Sequence, residues 1–175
     1  MSNAVTAITG VASLDDVLRR LASARSRDEH DDRLAELAQL APRYLTELGR
    51  LFDSGTYYRM SLIWCLIGEC GPQAVALFEK ALADKDQYTR WAAAKALARC
   101  RSVKASALLV AALKDRSHFV KGTAVDAMAR LRNPDAIPQL ERIVASEHLR
   151  RSAPGIVSSA HKALFACRAE MAKPR

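Results

Sequence analysis

The amino-acid sequence predicts an all-α fold. Its 175 residues include 32 Ala and 21 Leu, whereas the helix breakers Gly and Pro number only 7 and 6. Ala and Leu have high helix propensity, and the β-branched residues that favour strands are few. This composition excludes an all-β sandwich or barrel. Because half of the residues are hydrophobic, it also excludes intrinsic disorder.

A repeat of 31 residues runs through the middle of the chain. Three aspartates mark successive units, and a cation stands six residues after each of them. The same register carries apolar residues at six further positions of each unit. Chance does not align this many positions, so the chain contains internal repeats, which indicate a solenoid. The pairs are Asp53 with Arg59, Asp84 with Arg90, and Asp115 with Lys121.

The residue pattern of each unit predicts two helices joined by a short turn. Apolar residues spaced i, i+3, i+6 and i+7 form one helical stripe after the cation. A break follows at Gly71, Ser102 or Asn133, and a second stripe then runs to the next aspartate. Asn133 before Pro134 is a favourable helix start, because Asn caps helices and Pro is tolerated in the first turn. Neither helix buries enough surface alone, so neighbouring hairpins must stack.

The N-terminal part departs from the repeat. Residues 1–13 are expected to be a flexible N-terminus, and Leu14 to Ala24 an amphipathic capping helix. A shortened hairpin, broken at Pro42, precedes the first clear repeat. We therefore expect one domain over residues 14–175, with clear repeats over 53–146 and a capping helix at each end.

The C-terminal part departs from the repeat as well. Residues 147–155 exceed the repeat length by about five residues, which predicts a protruding loop before a last helix from Ile156 to Ala172. Loops that interrupt a regular scaffold are typical places for function. Arg150 and Arg151 are therefore candidate binding residues of this loop.

The residues of the repeat resemble those of HEAT repeats. The short period and the turn before Pro134 are most similar to the phycobilisome-lyase-like subclass, and the resemblance covers Asp53 to about Val144. It implies a right-handed α-solenoid of about four to five HEAT-like helical hairpins. The pattern consists of Asp84-x5-Arg90-x2-Ala93-x2-Ala96-Leu97 and Asn133-Pro134-x-Ala136-Ile137-Pro138-x-Leu140.

The resemblance also implies a ladder of charges that links one hairpin to the next. An aspartate at a helix N-terminus accepts backbone N–H bonds, and a neighbouring cation pairs with it. We therefore interpret these charges as structural residues. The ladder consists of Asp53, Arg59, Asp84, Arg90, Asp115 and Lys121.

No motif of an enzyme or a cofactor site is present in the sequence. It has no GxGxxG, no Gly-Lys-Ser/Thr loop and no G-x-S-x-G. The four histidines lack metal-ligand spacing, so neither a metal nor a cofactor is predicted. The four cysteines, Cys65, Cys70, Cys100 and Cys167, are expected to be reduced and structural, which is typical of a cytoplasmic protein.

The sequence offers one candidate binding face. By resemblance, the helix after the cation of each unit lines the concave side, and positions one, two, five and nine residues later avoid the core stripe. Aromatic and arginine side chains are enriched in binding hot spots. Alternatively, the tryptophans pack between helices and the cations are a solvated face. The candidates are Trp64, Trp91, Lys95, Arg99, Asp126, Arg130 and Lys162.

The charge distribution indicates where a partner binds. Residues 1–84 carry a net charge of −3, and residues 85–175 carry +11. In a solenoid, sequence order is spatial order, so the basic charge gathers towards the C-terminal end. We expect a non-enzymatic scaffold module that binds an acidic protein partner. No apolar run is long enough for a membrane span, and the oligomeric state stays open.

Two alternatives to a protein partner remain open at this point. One is binding of a nucleic-acid backbone, which weakens steeply with salt. The other is an activity of the HEAT-like alkylpurine DNA glycosylase type, with Asp126 as the carboxylate. The cations proposed for nucleic-acid binding are Lys95, Arg99, Lys104, Lys114, Arg116, Arg130, Arg132, Arg150 and Arg151.

Overall fold

Eleven α-helices and two single-turn 3-10 helices make up the secondary structure of residues 14–53 and 59–172, which are the residues that this computed structural model describes. No strand occurs among them, and the predicted all-α class is confirmed. The predicted flexible N-terminus, residues 1–13, lies outside the described residues. The chain separates into two compact units, Met1–Leu66 and Ile67–Arg175, and the single domain expected over 14–175 stays a prediction.

The described residues of the N-terminal unit form four helices around a leucine core. Helix α1 packs on α2, and both α2 and α3 pack on α4. Pro42 lies in the 3-10 turn Ala41–Arg43 that separates α2 from α3, where the sequence predicted a break. The Ser26 side chain caps α2 by accepting a hydrogen bond from the Glu29 N–H. The helices are α1 (Leu14–Ala22), α2 (Arg27–Leu40), α3 (Leu45–Asp53) and α4 (Arg59–Cys65).

Seven helices in two layers make up the described part of the C-terminal unit. Helices α6, α8 and α11 lie side by side in one layer, and α5 and α7 are neighbours in the other. The helices are α5 (Pro72–Leu82), α6 (Gln87–Leu97), α7 (Val103–Ala112), α8 (His118–Leu131), α9 (Ile137–Ala145), α10 (Glu147–Ser152) and α11 (Pro154–Met171).

The core of the C-terminal unit forms between the layers. Its largest fully buried side chains include Phe78, Leu97, Leu109, Met128 and Leu140. Burying one such side chain stabilises a fold by about 1.5–3 kcal/mol relative to leaving it exposed. No single hairpin supplies all of these residues, so the stability of the unit depends on contacts between hairpins.

The predicted breaks coincide with helix starts in this unit. Ser102 caps α7 by accepting from the Ala105 N–H at 3.1 Å, and Asn133 accepts from the Asp135 N–H at 2.9 Å. Gly71 precedes α5, which begins with Pro72. The turn within each hairpin is therefore encoded locally, as the sequence predicts.

The prediction of a protruding loop over residues 147–155 is wrong. Helix α10 occupies Glu147–Ser152, and α11 follows directly from Pro154. Two local features explain the extra helix: the Ser146 hydroxyl caps it by accepting from the Leu149 N–H, and the Leu149 side chain is buried. The insertion therefore contributes to the core instead of protruding from it.

Candidate functional site

Arg90 links two successive hairpins through a buried guanidinium. Its side chain, only 6% exposed, donates from Nε to Asp115 Oδ2 at 2.8 Å and from Nη2 to Asp115 Oδ1 at 3.1 Å. Its Nη1 donates to the carbonyl oxygens of Asp84 and Lys85, at 2.9 and 3.0 Å. The hydrogen bonds to the Asp115 carboxylate raise the pKa of Arg90. Four hydrogen bonds hold this buried guanidinium within the protein itself, so its role is architectural.

The pairing of an arginine with an aspartate, as in Arg90 and Asp115, is not repeated at the other described ladder positions. Lys121 is half-buried, and no carboxylate lies within ion-pair distance of it among the described residues. One period after Asp115 the chain has Ser146, which caps α10 instead of accepting from a cation. Asp53 is the exposed last residue of α3, and the side chain of Arg59 lies outside the described part.

A stripe of exposed and half-buried residues runs along the neighbouring helices α6 and α8, and we call it the outer stripe. Positions spaced i, i+3, i+7 and i+11 lie on one helix face. Each position on α6 has its equivalent on α8, 31 residues later. The outer stripe consists of Tyr88, Trp91, Lys95 and Arg99 on or just after α6, and of Phe119, Gly122, Asp126 and Arg130 on α8.

Aromatic side chains occupy one end of the outer stripe. The ring centroids of Tyr88 and Phe119 are 6.2 Å apart, and these residues are 49% and 57% exposed. Lys95 Nζ lies 5.7 Å from the ring centroid of the half-buried Trp91, within the range of a cation–π contact. Tyr88 and Phe119 were not among the predicted face residues, although their spacing of 31 residues is visible in the sequence.

The other predicted face residues divide between the two units. Lys162 is exposed on α11, the neighbour of α8, so it lies in the same layer as the outer stripe. Trp64 belongs to α4 of the N-terminal unit, where it is half-buried. The structure therefore groups six of the seven predicted face residues in one layer of the C-terminal unit.

Four arginines surround a groove of about 900 Å³, which we call the arginine groove. Arg99 and Arg101 come from the turn after α6, and Arg130 and Arg132 come from the end of α8. Each arginine of the first pair stands 31 residues before its counterpart in the second pair. The repeat thus places equivalent cations on the two walls of one groove.

The groove carries a strong excess of positive charge. Among the described residues, no carboxylate lies within ion-pair distance of Arg99, Arg101 or Arg130. Arg132 lies 3.8 Å from Glu170 in an exposed pair, and Asp135 is an acidic residue of the lining. Exposed guanidinium groups without carboxylate partners are available to an anion from outside.

The backbone at Arg132 is unusual. Arg132 follows α8 with φ 53° and ψ 35°, the left-handed conformation, and its N–H donates to the Met128 carbonyl at 2.8 Å. It is the sole non-glycine residue with positive φ among those that the structure describes. The next residue, Asn133, donates from its side-chain amide to the Ser106 hydroxyl at 2.8 Å, which ties the turn to α7.

A disulfide lies beside the groove. Cys70 and Cys100 are bonded, with their Cα atoms 5.1 Å apart, so the prediction that all four cysteines are reduced is wrong for this pair. Cys100 stands between Arg99 and Arg101, and the bond therefore anchors one wall of the arginine groove. The prediction failed because the sequence shows no CxxC spacing, while stacking brings two distant turns together.

The remaining two cysteines are free and buried. Burial raises the pKa of Cys65 to about 12 and also raises the pKa of Cys167. Thiols of this kind are poor nucleophiles, because the thiolate is the reactive form. Their placement in apolar stripe positions agrees with the structural role that the sequence predicts.

Arg150 and Arg151 lie on α10 and not on a loop. The Arg150 guanidinium donates twice to the Val144 carbonyl, at 3.1 and 3.3 Å. Arg151 lies 3.8 Å from Glu147 in an exposed pair one turn apart. Neither residue lines the arginine groove.

The structure also brings together two histidines that are distant in sequence. The ring centroids of His118 and His148 are 6.5 Å apart. Within the described ranges, no group of three or more His, Cys, Asp and Glu side chains is placed to hold a metal ion. In the same ranges, no helix has both the length and the apolar character needed to cross a membrane.

Stacked hairpins with an exposed aromatic and basic surface define an all-α helical-repeat protein of the solenoid class. The family model of HEAT repeats matches residues 48–124 and 74–154, which is more than half of the chain, and the chain therefore belongs to the HEAT-repeat family. No curated protein matches it. HEAT repeats commonly mediate protein–protein interactions and are typically non-catalytic. The phycobilisome-lyase-like subclass stays a prediction.

Proposed function

We propose that this protein is a non-enzymatic binding module that holds an acidic protein partner against the outer stripe and the arginine groove. The observation that carries this proposal is the arginine groove itself, with three guanidinium groups that have no carboxylate partner among the described residues. A surface of this kind gains most from a partner that supplies carboxylates.

The charge of the C-terminal unit supports the same conclusion. Residues 67–175 contain 19 Lys and Arg against 10 Asp and Glu, whereas residues 1–66 contain 8 against 9. The excess belongs to the unit that contains the groove. Electrostatic complementarity of this kind increases the rate of association and selects against basic partners.

The aromatic end of the outer stripe supports a protein partner. Tyr88 and Phe119 are large, exposed and adjacent, and Trp91 lies one turn further along α6. Tyr, Trp and Arg are the residues that most often dominate protein–protein binding energy. We propose that apolar side chains of the partner contact this end while its carboxylates contact the groove.

The nucleic-acid and glycosylase alternatives have weaker support. Of the cations proposed for nucleic-acid binding, Arg150 already donates to a backbone carbonyl and Arg151 lies near Glu147. A glycosylase needs its carboxylate in a pocket that receives an extruded base. Asp126 is exposed on the outer stripe and does not line the arginine groove.

The cytoplasmic location stays a prediction. Its basis was the expected reduced state of all four cysteines, and Cys70 is bonded to Cys100. Disulfides are typical of oxidising compartments. Fractionation of cells with an antibody against this chain would decide the compartment.

A comparison of two charge-reversed variants tests the proposed function. Arg99→Glu with Arg130→Glu reverses two groove cations, whereas Lys114→Glu with Arg142→Glu reverses two exposed cations outside the groove. Each variant and the parent protein are immobilised and exposed to a nuclease-treated extract of the source organism. We expect a protein to be retained by the parent and the control variant, to be lost from the groove variant, and to elute with salt.

Two results would contradict this proposal. Retention of the same proteins by the groove variant and the parent would remove the groove from the binding surface. A duplex DNA that binds the parent at low salt, and not the groove variant, would favour the nucleic-acid alternative instead.

A further inference from the structure

Arg132 occupies a backbone position that favours a different residue. The residue after a helix often adopts the left-handed conformation, and it is usually glycine because a Cβ atom is unfavourable there. At Arg132, φ is 53°. The hydrogen bond that closes the helix runs from its backbone N–H to Met128, and glycine would make the same bond. Nothing in the helix end therefore requires an arginine.

The Arg132 side chain does little for the protein itself. Its described ion pair, with Glu170, is 3.8 Å long, and the two side chains are 54% and 36% exposed. Exposed pairs of this kind contribute little to stability. Meanwhile Arg132 adds a fourth cation to the arginine groove, where like charges repel one another. An anion in the groove removes that repulsion.

The rest of the lining indicates which kind of anion fits. Apolar side chains, including Val103, Leu131 and Pro134, lie among the four arginines. An inorganic ion gains no binding energy from contact with these apolar side chains. Single-stranded nucleic acid binds on aromatic side chains that stack its bases, and none of the described residues of the lining is aromatic. A peptide that combines acidic and aliphatic side chains matches both parts of the lining.

We propose that the arginine groove binds an acidic peptide segment of the partner, and that Arg132 is a binding residue of this groove. This inference rests on the proposed function and names the part of the partner that enters the groove. Its carboxylates accept hydrogen bonds from the guanidinium groups on both walls, and its aliphatic side chains contact the apolar residues between them.

A test with a defined peptide uses the whole protein and Arg132→Gly. The probe is a fluorescein-labelled peptide of alternating Glu and Leu, and fluorescence anisotropy gives its Kd at low salt. A peptide with Lys in place of Glu is the charge control. We expect the Glu peptide alone to bind, and Arg132→Gly to raise its Kd about tenfold, which corresponds to the loss of one charge-assisted hydrogen-bonded contact.

The same variant separates a binding role from a structural one. Because glycine suits the left-handed conformation, Arg132→Gly should leave the melting temperature unchanged or raise it by about 2 °C. Arg142→Ala removes an exposed arginine outside the groove and should change the Kd less than twofold. Arg132→Asn, which also tolerates this backbone, should weaken binding as Arg132→Gly does.

Three results would overturn the inference. One is a lower melting temperature of Arg132→Gly with an unchanged Kd, which would show a structural arginine. Another is binding of a 12-nucleotide DNA or inorganic phosphate to the groove without binding of the Glu peptide. The third is no binding of the Glu peptide at low salt. If, in that last case, the groove variant still loses its protein partner, the proposed function stands and this inference fails alone.

Discussion

Two arginines at opposite ends of α6 show how differently this protein uses the same residue type. Arg90 lies in the first turn and is buried, and its donors are taken up by Asp115 and two backbone carbonyls. Arg99 lies just past the last turn and is exposed, with no carboxylate within ion-pair distance among the described residues. The arginine with internal partners holds successive hairpins together, whereas the arginine without a carboxylate partner is available to another protein.

The turns beside Arg90 and Arg99 are also stabilised in different ways. Near Arg90, Asp84 and Asp86 order the turn by accepting backbone N–H bonds at 2.9 and 2.8 Å. Near Arg99, the turn is held by the disulfide, and the equivalent turn of the next hairpin contains the left-handed Arg132. Backbone conformations of that kind persist where the surrounding structure holds them, and they cluster at functional sites.

The largest effect on stability is expected at the buried arginine. Arg90→Met leaves the Asp115 carboxylate partly buried without its cation, and breaking such a pair costs about 3–5 kcal/mol. Urea unfolding measures the free energy. Lys121→Met, at the equivalent position of the next hairpin, is the matched control and should cost less than about 1 kcal/mol. Equal losses in the two variants would contradict the difference between a paired and an unpaired cation.

The second largest effect is expected from the disulfide. Cys70 and Cys100 are separated by 30 residues, and closing a loop of this length stabilises a protein by about 3–4 kcal/mol in the chain-entropy model. Cys70→Ser with Cys100→Ser should lower the free energy of unfolding accordingly, without removing a groove charge. In the parent, thiol labelling should find Cys65 and Cys167 alone, and only after unfolding, because both are buried. Four free thiols in the non-reduced protein would disprove the bond.

A smaller effect is expected at the cap of α6. Asp86→Ala removes an N-cap that accepts from the Thr89 N–H, and such losses cost about 1 kcal/mol. Burial opposes ionisation of Asp86, but the hydrogen bonds from Thr89 outweigh it and lower the pKa of this carboxyl. Its stabilisation is therefore complete above the ordinary Asp pKa of about 3.9 and is lost as the pH falls through the lower folded value.

The pH dependence of unfolding checks the role of this carboxylate. Between pH 7 and pH 3, the parent should lose more stability on acidification than Asp86→Asn, which has no carboxylate to protonate. Thermal melts at each pH provide the measurement. Identical pH profiles of the two proteins would show that Asp86 does not prefer its charged form in the fold.

The smallest effect on stability is expected in the arginine groove. Arg99→Glu with Arg130→Glu changes exposed side chains without described carboxylate partners, so the free energy of unfolding should shift by less than about 0.5 kcal/mol per residue. The same variant should lose the partner. A large loss of stability would show that these arginines have a structural role, as Arg90 does.

Much of this architecture was predictable because residues of the sequence determine locally where helices start and end. The starts of α5 and α7 follow from Gly71 and Ser102, and α2 ends just before Pro42. Helix α10 was not predictable from the repeat, because the insertion has no counterpart in the other units. Its signals, the capping Ser146 and the apolar Leu149 three residues later, are local and lie outside the 31-residue pattern.

The candidate site was predictable only in part. The helical register placed Trp91, Lys95 and Arg99 on one face, where the structure has Lys95 and Arg99 exposed and Trp91 half-buried. The second predicted position of that face is wrong, because Ala92 is buried in the core. Arg101 was missed, and Arg132 was proposed only as one of several cations for nucleic-acid binding, because the helical register of the predicted face includes neither residue. Their spacing of 31 residues was present in the sequence, yet it gains a meaning only when two hairpins are adjacent.

The HEAT-repeat fold follows from the sequence, because the 31-residue period, the apolar stripes and the turn residues are local properties of the chain. The tertiary structure alone decided which turns meet. It joined Cys70 to Cys100, placed Tyr88 beside Phe119 and set four arginines around one groove. The physical reason is that these contacts link residues about 30 positions apart, and their distances depend on how side chains pack between the layers.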